Sequence, residues 1–236
     1  MKKYILTLIL ALASLGLYAQ TNRNKTIINA ALHGWEYEIK AGVNLGGTAP
    51  LPFPEEIRSI DGYNPTLSIT IEGNMTKWLD TKKKWGIITG LRLENKGMRT
   101  KATVKNYNME IIGYDGNRLK GNWTGGVRTK VQNSYITIPV LAAYKLSPRT
   151  TLKLGPYFSY LMDGDFSGHV YEGYLRETNP TGDKINFTNG AIATYDFSGD
   201  LRKFQWGVQA GVDWKAFKHL KVHADLNWGL NDIFNK

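Results

Sequence analysis

A chain of 236 residues that is 42% hydrophobic and 12% aromatic has the composition of one ordered domain, which excludes general disorder. It has no cysteine, so disulfide crosslinks and a lipidated cysteine beside a leader are excluded. The formal charge of +10 points to an acidic partner.

The chain opens with Lys2 and Lys3, an apolar run from Tyr4 to Leu15, and Ala19-Gln20. This is the pattern of a secretory signal peptide, too short to span a membrane and cut after Ala19. Removing residues 1–19 takes two lysines and no acid, leaving 28 basic against 20 acidic residues. For an exported chain the acidic partner is anionic glycolipid or polysaccharide rather than nucleic acid. Residues 20–34 form an N-terminal segment and 35–236 the folded domain. No later stretch has the continuous apolar length of a membrane helix, so a membrane fold here has to be a β-barrel.

From residue 37 onward the chain alternates with period two. Tyr37, Ile39, Ala41, Val43 and Leu45 oppose Glu38, Lys40, Gly42 and Asn44, and Leu67, Ile69 and Ile71 oppose Ser68, Thr70 and Glu72. Trp85, Ile87, Thr89, Leu91 and Leu93 oppose Gly86, Ile88, Gly90, Arg92 and Glu94, with Ile88 the exception. Ile136, Ile138, Val140, Ala142 and Tyr144 form one run in a strand apolar on both faces. Leu152 to Tyr160, Phe204 to Trp214, and Leu220 to Leu230 complete seven predicted strands. The connections alternate in length: Gly46 to Pro65, Asn95 to Ser134 and Met162 to Lys203 are long. Thr76 to Lys84, Ser147 to Thr150 and Lys215 to His219 are short. An outer-membrane barrel shows this alternation, with short periplasmic turns and long extracellular loops. Asp115-Gly116 and Asn189-Gly190 are hairpin signals, so two long loops are expected to rise as strand extensions.

The apolar stripe is expected to face outward. It ends in aromatics, among them Phe204, Trp206, Trp214 and Trp228, as the girdles of a membrane barrel do. Ten strand steps of ~3.3 Å tilted by ~40° span about the ~25 Å of an outer-membrane apolar band. The opposite face carries Glu38, Lys40, Glu72, Arg92, Glu94, Lys153, Asp213, Lys221, His223 and Asp225, too many charges for a dry ligand cavity. Glycines on that face leave room for long charged neighbours. An arginine replacing Val208 or Ala224 on the lipid face is expected to cost more than one replacing the luminal Gln209.

The stretches SYITIPVLAAYKL (Ser134 to Leu146), LKLGPYFSYLMDGDF (Leu152 to Phe166), FQWGVQAGVDW (Phe204 to Trp214) and HADLNWGLNDIF (His223 to Phe234) resemble the PorT-like family of outer-membrane β-barrel domains. The resemblance implies an all-β, eight-stranded, antiparallel up-and-down transmembrane barrel in the outer membrane. The family is named for a member linked to protein secretion, a role that fold resemblance does not transfer. In that family a loop and a returning strand follow the position of Lys236, so an eighth strand is expected to be missing at the C-terminus.

No catalytic set is legible. His33, His169, His219 and His223 sit on separate elements without metal-ligand spacing, and no serine completes a nucleophilic set near His223 and Asp225. Asp163-Gly164-Asp165 lacks the further oxygen ligands of a calcium loop. The reading is therefore a protein without cofactor, metal or catalytic residues. The luminal charges are expected to pack as ion pairs, since eight strands enclose little free space. The strongest local feature is the connection between Lys96 and Lys130. There Arg99, Lys101, Lys105, Arg118, Lys120, Arg128 and Lys130 are expected to contact lipopolysaccharide phosphates or surface glycan, with Tyr107, Tyr114 and Trp123 as stacking partners. The function read from the sequence is a non-enzymatic structural, surface-binding, secretion or assembly component of the outer membrane, with other envelope proteins as possible neighbours. The alternatives are an outer-membrane enzyme acting on lipid or peptide, and a small passive porin.

Overall fold

A computed structural model of the chain describes residues 35–47, 54–113 and 116–235. The expected signal peptide and the segment 20–34 lie outside the described residues.

Alternation carries through into strands. Among the described residues nine form one sheet: β1 (Trp35–Asn44), β2 (Ile57–Thr66), β3 (Ser68–Trp78), β4 (Trp85–Ile112), β5 (Arg118–Lys145), β6 (Thr150–Glu177), β7 (Lys184–Asp196), β8 (Phe204–Phe217) and β9 (Leu220–Gly229). The main path runs β1-β3-β4-β5-β6-β8-β9, the seven strands expected from the sequence. The other two lie in the long connections. β2 pairs antiparallel with Gly97 to Val104 of β4, directly above the part of β4 that pairs with β3, so β2 and β3 are one descending strand broken at Leu67. β7 and β8 share β6 in the same way, interrupted by a short 3-10 helix at Ser198–Asp200. The sheet curls until its ends meet. Lys221 of β9 reaches Glu38 of β1 at 3.0 Å, and a Cβ on Gly42 would stand 3.2 Å from His223 Nε2. These two contacts advance together along both strands, so β1 and β9 rise in the same direction.

The lower part of the sheet is inside out relative to a water-soluble fold. Ile39, Ile69, Trp85, Leu91, Leu154, Phe204, Trp214 and Trp228 are exposed, while Lys40, Glu72, Arg92, Glu94, Lys153 and Asp213 are buried. Water would not tolerate that apolar band and a dry lumen would not tolerate those charges, so the band faces lipid. Ile88, the exception in its strand, packs in the lumen against Leu141 and Ala143 with Trp78 alongside.

Above the band the polarity reverses without a break in the chain. On β4 the even positions change from Arg92 and Glu94 to Met98 and Val104, which are buried. The odd positions change from Leu91 and Leu93 to the exposed Arg99, Lys101 and Lys105. The residues between Lys96 and Lys130 are thus largely strand and not loop. Higher still, bulges line up across three strands, between Val104 and Tyr107, Gly125 and Gly126, and Tyr171 and Gly173. Asn106, Gly125 and Glu172 have positive φ there, and at Gly125 a Cβ would stand 2.7 Å from Gly173 Cα. Each bulge flips the side chains beyond it and bends the sheet. β4 then pairs Ile112 with Thr194 of β7, so β4 to β7 close around an apolar core of Trp123, Ile111, Leu175, Val170 and Phe187. Trp123 and Phe187 meet edge to face at 5.4 Å.

The expected hairpin at Asp115-Gly116 agrees with a left-handed Gly116 in the β4–β5 connection. The one at Asn189-Gly190 is corrected: that pair lies within β7, opposite the bulge at Glu172. The turn is made instead at 178–183, where Thr178 takes the positive φ and Asn179 Oδ1 accepts from the Thr181 N–H at 2.9 Å. Asn-Pro-Thr-Gly is equally good turn chemistry, and Asn189-Gly190 falls instead where β7 sets four residues against Glu172. After β9 the chain folds over the rim. Leu201 bridges Phe234, which packs edge to face on Phe166 at 4.9 Å.

Val208→Arg and Ala224→Arg, on the lipid face, are each expected to cost ~2–4 kcal/mol of folding into vesicles, by urea titration. The same substitution at Leu45 or Phe217, at the ends of their strands, should cost ~0–1 kcal/mol. Equal penalties at all four would contradict the band. The upper core has a pH signature. Burial pushes the Tyr195 phenol up to about 12. Folding thus favours the protonated form, so its contribution is whole below about pH 10 and is lost as pH rises toward 12. Alkaline titration of proteolytic resistance above the membrane should show this fall, on the order of 2 kcal/mol, and Tyr195→Phe should reduce it to the part supplied by Tyr107, which burial in the same core also pushes up.

Candidate functional site

Two groups of polar side chains stand out, one in the lumen and one above the membrane band. In the lumen, β3, β4, β5, β6, β8 and β9 each contribute from their inward positions. The Arg92 guanidinium sits between carboxylates: Nε donates to Glu72, Nη1 lies 3.8 Å from Glu94, and Nη2 donates to Gln209 Oε1 at 2.6 Å. Lys153 lies 2.6 Å from Asp213 and 2.8 Å from Asp225. Lys40 of β1 joins both halves, 3.5 Å from Asp213 and 3.9 Å from Glu72. Glu94 also accepts from Thr137 at 2.8 Å and Asn44 at 3.1 Å, with Lys96 3.1 Å away at the upper mouth. Four cations thus meet four carboxylates. At Gly211 a Cβ would stand 1.9 Å from Asp225 Oδ1, so this glycine makes the space in which Asp225 and Lys153 meet.

The expected packed ion-pair lumen is therefore present, but one consequence drawn from it is reversed. Gln209 is fully buried against Arg92, so arginine there would put two guanidinium groups in contact; it is not a tolerant luminal position. Alternation shows which face a residue takes, not how full that face is.

Above the band the structure divides the seven predicted basic contact residues. Arg99 lies directly opposite Lys130, and Lys101 opposite Arg128, on the outer face of β4 and β5. Arg118 instead pairs with Glu110 at 2.9 Å near the tip, and Lys120 stands opposite Glu110 beyond the bulges. Lys105 lies at the bulge itself, its N–H donating to Glu56 O. The expected aromatic partners are not the ones used. Trp123 is wholly buried in the upper core, Tyr107 packs against that core, and Tyr114 lies outside the described residues. The ring at the basic cluster is Tyr171 of β6, with the Arg128 guanidinium 5.2 Å and Lys101 Nζ 5.5 Å from its centroid. Sequence reasoning missed it because cross-strand register between distant segments has no local signal.

Cations directly opposite one another in a sheet repel, and cation pairing is avoided where only folding is at stake. Here two such pairs are stacked, relieved on one side by Asp165, 3.5 Å from Lys130. The imidazole of His169, opposite Arg128 on β6, has its pKa lowered by burial and then by Arg128, so it is neutral at pH 7 and adds no repulsion. Asp196 is held ionised by hydrogen bonds from the Ser198 side chain and backbone, which pull its pKa down. A groove of about 1010 Å³ passes these residues, reaching from Asn64 on β2 to Asp196 on β7.

Other candidates resolve as ion pairing or turns. Asp225, the acid near His223, is engaged by Lys153. Asp165 of the Asp163-Gly164-Asp165 run lies against Lys130. Among the described residues, no three His, Cys, Asp or Glu side chains converge as metal ligands.

A family model for the outer membrane protein beta-barrel domain matches residues 18–235. Neither curated proteins nor solved structures gave a match. The chain belongs to the outer-membrane β-barrel family, with the all-β antiparallel fold and outer-membrane location that membership carries.

The luminal network is tested at Arg92 and Gln209. Arg92→Met leaves Glu72 and Glu94 short of a buried partner and is expected to cost ~3–5 kcal/mol. Gln209 Nε2 is buried without a hydrogen-bond partner, so Gln209→Glu removes an orphaned donor and offers Arg92 a carboxylate. Its urea midpoint should match or exceed that of the natural protein; a loss as large as that of Arg92→Met would refute this assignment.

Proposed function

We propose that this member of the outer-membrane β-barrel family is a non-enzymatic surface protein whose rolled extracellular sheet holds anionic glycolipid or glycan, the phosphates of lipopolysaccharide above all. The observation that supports this is the double like-charge pair, Arg99 with Lys130 and Lys101 with Arg128, presented on the outer wall above the lipid-facing band. Phosphates would bridge the facing cations and relieve their repulsion, and arginine can do so with two parallel hydrogen bonds. Tyr171 offers a ring face to a sugar beside them.

The filled lumen argues against a passive porin, since Lys40, Arg92, Lys153, Glu72, Glu94 and Asp213 are all buried in one layer. An enzyme acting on lipid or peptide needs an activated nucleophile or metal at the lipid edge; the luminal carboxylates Glu72, Glu94, Asp213 and Asp225 are engaged in ion pairs instead. The PorT-like resemblance favours a place beside secretion or assembly components, with the rolled sheet as the surface offered to them.

Arg99→Gln/Lys101→Gln/Arg128→Gln/Lys130→Gln should weaken lipopolysaccharide binding to the detergent-solubilised protein on the order of a hundredfold or more. The natural protein's affinity should fall steeply with salt, and the variant's much less. Binding that ignores both salt and the four substitutions would overturn the proposal. Lys105→Gln/Lys120→Gln, outside the paired cluster, is the control expected to bind nearly normally.

A further inference from the structure

The end of the barrel opposite the rolled sheet carries its own charge pattern. Three turns lie there: 79–84 between β3 and β4, 146–149 between β5 and β6, and 218–219 between β8 and β9. They are neighbours, since the Lys145 N–H donates to Lys84 O at 2.8 Å and the Lys215 N–H to Arg149 O at 2.7 Å. Lys82, Lys83 and Lys84 lie in the first turn, Arg149 in the second and Lys218 in the third. Among the described residues of these turns, Asp80 is the only acid. Its carboxylate is occupied, Oδ1 accepting the N–H groups of Lys84 at 2.7 Å and Trp85 at 3.0 Å. Those bonds pull its pKa down and fix the turn, with Lys83 in the left-handed region at φ 51°.

Between the first two turns is a cleft of about 470 Å³. Lys82, Lys83 and Lys84 of the first turn line it together with Lys145, Leu146, Ser147 and Pro148 at the second. Leu146 is 61% exposed, an apolar wall near the three turn lysines, while Lys145 holds its Nζ 4.4 Å from the Trp78 ring centroid. The cleft sits at the edge of the aromatic belt. Trp85 and Tyr144 meet at 4.5 Å on the lipid face, and Lys84 Nζ lies 5.5 Å from the Tyr144 centroid. Interfacial aromatics mark the headgroup level, and lysines at that level extend to meet phosphate.

We propose that this cleft is a binding site for the phosphodiester headgroup of an anionic phospholipid of the periplasmic leaflet. The lysines hold the phosphate, and Leu146 and Pro148 lie along the glycerol and first acyl carbons. The apolar wall and the position at the belt favour a lipid over the sugar and peptide carboxylates of the cell wall, which have no apolar portion to place there. The inference is independent of the extracellular proposal, because it uses no residue of that cluster.

The test places the full-length protein in nanodiscs of phosphatidylcholine with one quarter phosphatidylglycerol, releases it into mild detergent, and counts retained lipids by native mass spectrometry. The natural protein should keep phosphatidylglycerol in preference to phosphatidylcholine. Lys82→Gln/Lys83→Gln/Lys84→Gln/Lys145→Gln should cut that preference roughly tenfold or more. Unchanged heat-modifiability on a gel checks that the variant folds, and the single Lys82→Gln, in an exposed turn, should give a smaller loss in the same direction. The extracellular Lys105→Gln/Lys120→Gln protein should retain lipid like the natural one. Equal retention of the two lipids by the natural protein would overturn the proposal. So would lysine-dependent sedimentation with purified cell-wall sacculi without any lipid preference, which would make the cell wall the partner.

Discussion

The structure depends on Arg92 being neutralised inside a narrow ring of strands. Charge buried in a lumen is tolerable only if every partner is present, and here the partners come from three strands: Glu72 on β3, Glu94 on β4 itself, and the distant Gln209 on β8. A one-residue slip of any strand would exchange its luminal residues for lipid-facing ones, sending a charge into hydrocarbon and a leucine into the lumen. The ion pairs therefore act on register more than on net stability, which buried pairs supply poorly against apolar packing of the same volume. The outward band gives the complementary constraint, and both are satisfied by one alignment.

The polarity reversal above the band lets one sheet serve two solvents. On β4, Leu93 is the last exposed apolar residue of the lipid face and Met98 the first buried apolar one above it, with Glu94, Asn95, Lys96 and Gly97 between. Strand pairing continues across that step, so the upper sheet inherits the rigidity of the lower one. Rolling requires a bend, and the aligned bulges at Asn106, Gly125 and Glu172 supply it in one row. The basic pairs are therefore carried on ladder-paired strands below the bulge row and above the lipid, a more exact platform than a mobile loop.

Much of this was legible in the sequence, and the misses share a cause. The seven barrel strands, the outward face and the charged lumen follow from period two, because lipid on one side and a confined lumen on the other impose opposite demands at every position. The same alternation was present in Met98, Ala102 and Val104 against Arg99, Lys101, Thr103 and Lys105, yet its phase is inverted, and against a lipid-facing template it reads as a basic loop. Trp123 looked like a surface ring for the same reason: its burial depends on a second core that exists only once β7 returns to β4. Asn189-Gly190 has the chemistry of a hairpin turn, and only the register of β6 against β7 shows that it falls within a strand, where four residues of β7 face Glu172. How full the lumen is at Gln209, and which ring lies beside Arg128, are facts about distant strands that no local pattern carries.

The seam between β1 and β9 shows how far side chains complete what the backbone begins. In an up-and-down sheet of seven membrane strands the first and last run the same way, so no hairpin register carries one onto the other. Here β1 is held from inside. Lys40 reaches Asp213 of β8 and Glu72 of β3, and Glu38 meets Lys221 of β9. Asn44 donates to Glu94 of β4, one strand beyond β3, so Glu38, Lys40 and Asn44, the inward positions on either side of Gly42, are all tied to other strands. Gly42 itself gives His223 room to lie against β1. The lumen that sets register across the sheet thus also draws its two ends together, through pairs that run from Glu38 and Lys221 to Asn44 and Glu94.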